Sequence, residues 1–172
     1  MNGKQLINTG PSERGWHRVE NFLRCPQLYA YSNVLTLDLG SRMPLVRGTL
    51  VHVGLAHFYR QLQATQQGED PSSWYDPIEA IGAVIPTMKE SDQAVAREVL
   101  LVCQQAVAEY ILRLGSIERF KVLHVEHPVE AQLTWTPPGG IQLGPYRLTQ
   151  RLDLLIEDAG GLVWVLDHKT TY

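Results

Sequence analysis

Charged side chains follow a strongly apolar stretch near the end of the sequence. Residues 162–166 read Leu-Val-Trp-Val-Leu and lead directly into Asp167 and, two positions later, Lys169. A second apolar segment carries Asp153. Because side chains two positions apart on a strand share a face, Asp167 and Lys169 should point to the same side. Two carboxylates and an ammonium in this pattern are typical of a site that handles a metal ion and a phosphate group.

A short glycine-containing turn separates these segments, so we expect them to pair as a β-hairpin with Asp153 and Asp167 close together. Neighbouring carboxylates repel each other, which should raise the pKa of one of them. A divalent cation, Mg²⁺ or Mn²⁺, would relieve that repulsion and would make water a better nucleophile towards a phosphodiester. The alternative is an Asp167–Lys169 ion pair on the surface, which would contribute only ~0–1 kcal/mol.

The elements that must position these residues follow from periodicity. Four segments have helical spacing of apolar residues or a helical composition. They are 17–35, 45–68, 76–88 and 91–115. Pro26 should break or restart the first of them. After residue 120 the pattern alternates as in strands. The order predicts an α+β fold, with N-terminal helices packed on a mainly antiparallel sheet of three strands.

The helix over 91–115 is the clearest of the four. We expect Ser91 to cap its start, Gly115 to end it and Cys103 to lie in the core. Its buried face is expected to contain Val95, Val99, Val102, Ala106 and Tyr110.

Four short motifs occur in order along the chain. Residues 20–31 read ENFLRCPQLYAY, residues 48–52 read GTLVH, residues 151–155 read RLDLL and residues 167–170 read DHKT. Together they resemble the CP-x-x-Y signature, the G-x-x-x-H helix motif and motifs II and III of the PD-(D/E)XK nucleases. The RecB-type branch, which includes CRISPR-associated and AddB-like exonucleases, is the most similar.

This resemblance implies a restriction-endonuclease-like core and gives individual residues a role. Asp153 and Asp167 would ligate the metal ion. His52 would be a further ligand or would position a water molecule. Lys169 would be the catalytic lysine, and the backbone carbonyl of His168 would be another metal ligand.

Glu126 is a further candidate, because many members of the family have an acid here that lies near the metal or supports it. His124 and Glu126 should share a strand face. A zinc site made of His124, Glu126 and His127 is an alternative without a clear set of ligands. His57 is interpreted as an ordinary helix residue.

The N-terminal third of the chain is basic. Residues 1–60 carry seven Lys or Arg against three Asp or Glu, whereas the whole chain has a net charge of −3. Arg47 and Arg151 are candidates for binding the phosphates of DNA. A random surface is the alternative explanation of the charge distribution.

The sequence departs from the family pattern in two places. Gln150 and Leu154 stand where motif II usually has Gly and Arg. The helix with a Q-x-x-x-Y motif that normally follows has no counterpart before Tyr172. The core would then be truncated at the C-terminus, and a protein partner or self-association would cover the missing elements.

The two cysteines have no spacing typical of disulfide or zinc sites. A 4Fe–4S cluster usually needs four thiolates, so none is expected in this chain alone, and Cys25 would be a buried thiol or a leftover ligand.

Length and composition predict one domain over 16–172 after a flexible lead-in over 1–15. No signal peptide and no apolar run of ~20 residues are recognised, which favours the cytoplasm over a membrane.

The leading interpretation is a metal-dependent deoxyribonuclease, an exonuclease acting in recombination, repair or phage DNA processing. The alternatives are a catalytically inactive nuclease-like module that binds DNA or protein, a fragment that needs a partner, and a small structural α+β domain.

Overall fold

The structure is a computed structural model that describes residues 4–10, 15–35, 37, 43–114, 119–136 and 138–170. The chain divides into two compact units. The first unit comprises Met1–Gly10, Gly40–His127 and Leu152–Tyr172, and the second comprises Pro11–Leu39 and Pro128–Arg151. In the described ranges, no helix has the length and apolar character needed to cross a bilayer.

Helices precede strands along the chain, as the sequence predicts. The α-helices are α1 (Trp16–Arg24), α2 (Pro26–Tyr29), α3 (Met43–Gln67), α4 (Pro77–Ala83) and α5 (Glu90–Leu114). A π-helical turn (Ala30–Val34) follows α2, and 3₁₀ turns occupy Pro71–Ser73 and Ile85–Thr87. The strands are β1 (Lys121–Trp135), β2 (Leu143–Glu157) and β3 (Val163–Leu166). This confirms the predicted α+β fold with its antiparallel three-stranded sheet.

The β2–β3 hairpin has a well-defined register. The strands are antiparallel, with Leu154 opposite Leu166 and Glu157 opposite Val163. In the turn, the Asp158 side chain accepts hydrogen bonds from the backbone N–H groups of Gly160 and Leu162 at 2.8 and 3.0 Å. These local bonds stabilise the turn and therefore the register of the strands that it joins.

In the first unit, α3 packs closely against α4 and α5. A Cβ atom added to Gly54 would lie 2.9 Å from both Ile81 Cδ1 and Val107 Cγ2, so this contact requires a glycine. Cys103 is 2% exposed in the same cluster, which confirms the predicted core thiol.

The remaining predictions for α5 have mixed outcomes. Val99 is buried as predicted, but Val102 and Ala106 are exposed, because the buried stripe runs through Cys103 and Val107 instead. The helix begins at Glu90, so Ser91 lies in its first turn rather than before it. Gly115 lies outside the described residues.

The C-terminal half of α3 lies along β1, which is at one end of the strand order. Gln66 accepts a hydrogen bond from Val122 N–H and donates one to the Phe120 carbonyl, both at 2.8 Å. Gln63 donates to the Leu123 carbonyl at 2.5 Å. The two side-chain amides therefore satisfy backbone groups at the edge of the sheet, as a neighbouring strand would.

The second unit contains α1 and α2. Pro26 is the first residue of α2, which confirms that it restarts the helix. Cys25 caps this helix, since its Sγ accepts the Leu28 N–H at 3.4 Å. The cysteine thus has a local structural role.

Candidate metal centre

Three side chains from three elements of the first unit converge. His52 is on α3, Glu126 on β1 and Asp153 on β2. One ligand atom from each lies within 4.8 Å of the other two, and all three residues are half-buried. His52 Nδ1 is 3.4 Å from Asp153 Oδ2. This is the set of three that could hold a metal ion among the described residues.

The hairpin brings Asp153 and Asp167 opposite each other. The register pairs Leu154 with Leu166, and the aspartates are the next residues, Asp153 within β2 and Asp167 directly after the end of β3. Asp153 also accepts the backbone N–H of His168 through Oδ2 at 2.9 Å. The predicted proximity of the two carboxylates is confirmed.

His168 connects two members of the cluster through its backbone. Its carbonyl oxygen is 2.8 Å from His52 Nε2, while its N–H is bonded to Asp153. Because a carbonyl only accepts hydrogen bonds, Nε2 of His52 must carry the proton, and Nδ1 faces Asp153. A metal ion at this carbonyl would compete with that hydrogen bond. The role of the carbonyl as a metal ligand stays a prediction.

The sequence reasoning missed the aromatic residues behind His168. The Tyr59 ring lies 5.5 Å from the His168 ring and the Tyr110 ring 6.1 Å from it, measured between centroids. The two tyrosine hydroxyls are 2.5 Å apart. Tyr59 follows His52 by seven residues, which is two helical turns, so the spacing could have placed both on one face of α3.

Glu126 has an unusual backbone. Its φ is +49°, in the left-handed region that non-glycine residues rarely adopt. Such a residue interrupts the alternation of a strand, so the expected shared face with His124 does not follow from a period of two. The His124 ring instead stacks on the His127 ring at 4.2 Å between centroids. Neither histidine belongs to the cluster found among the described residues, so nothing there supports the alternative zinc site.

Asp167 and Lys169 pair with each other. Lys169 Nζ is 3.0 Å from Asp167 Oδ1 and 2.7 Å from Oδ2. Both side chains are largely exposed, and the carboxylate of Asp167 does not join the cluster of three. This geometry is that of the surface ion pair considered as the alternative above.

The ion pair shifts the pKa of each partner in the direction that favours its charged form. The hydrogen bond and the charge of the Lys169 ammonium lower the pKa of Asp167, while burial opposes this change. The expected rise in pKa is therefore not found at Asp167, because the contact with an ammonium outweighs burial. Asp167, with a smaller contribution from Asp153, raises the pKa of Lys169. In this contact Lys169 is therefore an ammonium at neutral pH.

The helix motif lies beside the DHKT segment. A Cβ atom added to Gly48 would be 3.6 Å from Thr170 Oγ1, an ordinary van der Waals contact. Arg47 is a half-buried residue of α3, and Arg151 is a residue of β2 in the second unit. A role of either arginine in phosphate binding stays a prediction.

His57 has a structural environment away from the cluster. It is fully buried, and its Nε2 accepts the backbone N–H of Ile7 at 3.2 Å. Burial lowers the pKa of His57 to about 4, with the Tyr75 backbone opposing this to a smaller extent. The histidine is therefore neutral at physiological pH.

The donor set of the cluster fits a divalent cation. Ligands of Mg²⁺ lie about 2.1 Å from the ion, so adjacent ligand atoms are about 3 Å apart and opposite ones about 4.2 Å apart. The three ligand atoms lie within 4.8 Å of one another and would move closer together to share one ion. Carboxylates suit Mg²⁺ and Mn²⁺, whereas the imidazole of His52 suits a softer ion than Mg²⁺.

Comparison with known proteins identifies the family. The sequence model of the PD-(D/E)XK nuclease superfamily matches residues 16–172. Neither the search of curated proteins nor the search of solved structures found a match. Since the matched region covers most of the sequence, the chain belongs to the PD-(D/E)XK nuclease superfamily.

Proposed function

We propose that this chain is a Mg²⁺- or Mn²⁺-dependent deoxyribonuclease that hydrolyses phosphodiester bonds. The convergence of His52, Glu126 and Asp153 is the observation that carries the proposal. The carboxylates of Glu126 and Asp153 come from distant parts of the chain and would repel each other without a compensating positive charge. Membership of a nuclease superfamily supports the same chemistry.

Each residue of the site has a distinct task in this proposal. His52, Glu126 and Asp153 hold the cation, and Asp167 is a further ligand once it exchanges its contact with Lys169. A bound cation would supply Lewis acidity, which polarises a phosphoryl oxygen and favours attack by water. The Lys169 ammonium offsets the negative charge that develops on the phosphate.

His168 orients the other residues through its backbone. Its N–H donates a hydrogen bond to the Asp153 carboxylate, and its carbonyl accepts one from His52 Nε2. These bonds leave His52 Nδ1 directed towards Asp153. The hydrogen bond on the far nitrogen is the usual way in which proteins orient a histidine that ligates a metal.

We further propose an exonuclease of the RecB type that acts on DNA in the cytoplasm, in recombination, repair or phage DNA processing. The four motifs described above support this finer assignment. Arg47 and Arg151 would contact DNA phosphates, which would make binding dependent on salt.

A catalytically inactive module that binds DNA or protein is the second candidate. Asp167 and Lys169 favour it, because they pair with each other instead of joining the cluster. The apolar side chains Val163, Trp164 and Val165 of β3 are exposed, which offers a surface to a partner.

Cleavage of end-labelled linear DNA decides between the two. Single- and double-stranded substrates are incubated with Mn²⁺ or Mg²⁺ and with the wild type, Asp153→Asn or Lys169→Ala. We expect cleavage by the wild type and a loss of at least ~100-fold in either variant, since general catalytic groups commonly contribute this much. Lys169→Ala should keep its affinity for Mn²⁺.

Lys121→Ala is a matched control for the lysine. Lys121 is also exposed and pairs with a carboxylate, that of Glu157, at 3.6 Å. The Lys121→Ala variant should cleave DNA at the wild-type rate. Undiminished cleavage by Lys169→Ala would contradict the proposed mechanism. A folded wild type that binds Mn²⁺ but does not cleave either substrate would favour the inactive module.

A further inference from the structure

A second concave site lies in the first unit, lined by the N-terminal segment and by residues of α3 and β1. Its volume is about 370 Å³, a size suited to a small organic ligand. The lining includes Arg60, Gln63, Trp74, His124 and the segment 5–8. We call this cavity the Arg60 pocket. It contains none of the three residues of the candidate metal centre.

Arg60 is held in place by its neighbours. Its guanidinium carbon lies 4.7 Å from the centre of the Trp74 ring, and its NH1 donates to Gln63 Oε1. Gln63 is buried, and its amide nitrogen is bonded in turn to the Leu123 carbonyl. A guanidinium fixed by stacking and by a buried amide loses little side-chain entropy when it binds a ligand.

The wall formed by residues 5–8 is also anchored. The Gln5 N–H donates to the Ser73 carbonyl at 3.3 Å, and the Ile7 N–H donates to His57 Nε2 at 3.2 Å. His57 is buried beneath this segment and neutral. The pocket therefore exists before any ligand binds.

The charge of the lining favours an anion. Arg60 is permanently cationic, and the imidazole of His124 offers a further ring N–H group to an anion. No Asp or Glu is present among the described residues that line the cavity. Glu69 Oε2 lies 3.9 Å from Arg60 Nη2, which is long for an ion pair, and Glu69 does not line the cavity. The planar fork of an arginine suits the oxygens of a phosphate group.

The rest of the lining combines the polar side chains of Gln5, Asn8 and Gln63 with apolar ones, a mixture that suits the sugar and base of a nucleotide. Leu6 and Val125 contribute aliphatic surface, and Trp74 contributes an aromatic ring. His124 also lies two residues before Glu126 on β1. The Arg60 pocket and the candidate metal centre thus each include a residue of β1.

We propose that the Arg60 pocket binds the phosphate of a nucleotide, either a free 5′-mononucleotide or a unit of a single strand. Arg60 and His124 contact the phosphate, and Trp74 with the aliphatic residues contacts the sugar or base. Anion binding here needs no metal ion. The choice of a nucleotide as the anion rests on the proposed nuclease function.

The test is binding without divalent metal. Thymidine 5′-monophosphate, inorganic phosphate and a short oligothymidylate are titrated in EDTA into the Asp153→Asn variant, which excludes binding through the metal centre. Calorimetry gives the affinity. The indole N–H signal of Trp74 in the NMR spectrum, assigned by its loss in Trp74→Phe, reports where the ligand binds.

We expect the monophosphate to shift the Trp74 signal and to bind more tightly than inorganic phosphate. Arg60→Gln should weaken binding by roughly tenfold or more, since a charge-assisted contact is lost. Arg60→Lys keeps the positive charge but not the planar guanidinium, so its affinity should lie between those of Arg60→Gln and the parent protein. Arg97→Gln is the matched control, because Arg97 is likewise bonded to a glutamine but lies on the exposed side of α5 and does not line the pocket. It should bind as the parent protein does.

The outcomes separate the elements of the proposal. The proposal is overturned if Arg60→Gln and Arg60→Lys bind the monophosphate as tightly as the parent protein does. It is also overturned if none of the three probes binds. Equal affinity for inorganic phosphate and the monophosphate overturns the nucleotide assignment. Tighter binding of the oligonucleotide with the same loss in Arg60→Gln identifies a strand as the ligand. If Arg60→Gln does not fold, Arg60→Lys and His124→Ala decide. The cleavage assay tests the nuclease proposal separately.

Discussion

Glu126 adopts a φ of +49° inside β1, a conformation that costs a residue with a Cβ roughly 1–2 kcal/mol. Strained residues persist where the surrounding structure holds them, and they often occur at functional sites. At Glu126 the strain accompanies a carboxylate placed beside His52 and Asp153. The simplest interpretation is that the fold gives up stability at this residue to direct a metal ligand.

This interpretation predicts which of two substitutions at Glu126 gives the more stable protein. Glu126→Gly and Glu126→Ala both remove the carboxylate, but only glycine adopts this φ without strain. We expect Glu126→Gly to be more stable than Glu126→Ala by about 1 kcal/mol in chemical denaturation without metal. Gln132 is the control, because it is an exposed residue of β1 that is not among those with a positive φ. There, the Gln132→Gly variant should be less stable than Gln132→Ala. The same order at both positions would argue against strain at Glu126.

At the scale of elements, two glycines of α3 differ in what they contact. Gly54 faces Ile81 and Val107 at distances that leave no room for a methyl group. Gly48, the glycine of the helix motif, has only an ordinary contact with Thr170 at 3.6 Å from an added Cβ. The glycine of the motif is therefore not required by packing, whereas the one outside it is.

Alanine substitutions should separate the two positions. Gly54→Ala should destabilise the protein by about 1–3 kcal/mol, the usual cost of overpacking. Gly48→Ala should stabilise it by up to about 1 kcal/mol, because alanine favours a helix interior. Thermal or urea unfolding of both variants checks this. A stable Gly54→Ala variant would show that α3, α4 and α5 can move apart at little cost.

The buried His57 couples the N-terminal segment to α3 in a pH-dependent way. The pKa of His57 is about 4 in the folded protein, whereas the ordinary value for a histidine in an unfolded chain is 6.5. The unfolded chain therefore binds a proton at a higher pH than the folded one. Stability should be complete above about pH 6.5 and should fall by about 3 kcal/mol towards pH 4 from this group.

Substitution of His57 isolates that contribution from the carboxylates that titrate nearby. The free energy of unfolding is measured by urea denaturation at intervals between pH 7 and pH 4. The wild type should lose more stability than His57→Gln over this interval. His124→Gln, a change at an exposed histidine, should follow the wild type. Parallel curves for wild type and His57→Gln would mean that the imidazole can be protonated without disturbing the fold.

At the scale of the whole molecule, the sequence predicts the order of elements and part of the site. Helical and strand periodicities are local properties, and a short turn leaves little choice of register, so the Asp153–Asp167 proximity could be predicted. The His52–His168 contact joins residues 116 positions apart, and no local pattern encodes it. The backbone of Glu126 and the tyrosines behind His168 likewise depend on how α3 docks on the sheet.

Metal binding should make these distant segments stabilise one another. A ligand that binds only the folded state stabilises it by about 2.7 kcal/mol at 100 times its Kd. Mn²⁺ should therefore raise the unfolding temperature of the wild type, and EDTA should reverse the rise. Asp153→Asn should abolish it, because this carboxylate contacts both His52 and the His168 backbone. Glu126→Gln should reduce it.

The Asp167→Asn variant tells whether a third carboxylate joins the cluster of His52, Glu126 and Asp153. We expect a smaller loss of the Mn²⁺ effect than in Asp153→Asn, since Asp167 must first exchange its contact with Lys169. Asp70→Asn, a change in an exposed aspartate of a helix cap, controls for nonspecific binding and should respond as the wild type does. If Asp153→Asn and the wild type gain equal stability from Mn²⁺, the ion binds elsewhere. The convergence of His52, Glu126 and Asp153 would then be structural, and a role in cleavage would need another site.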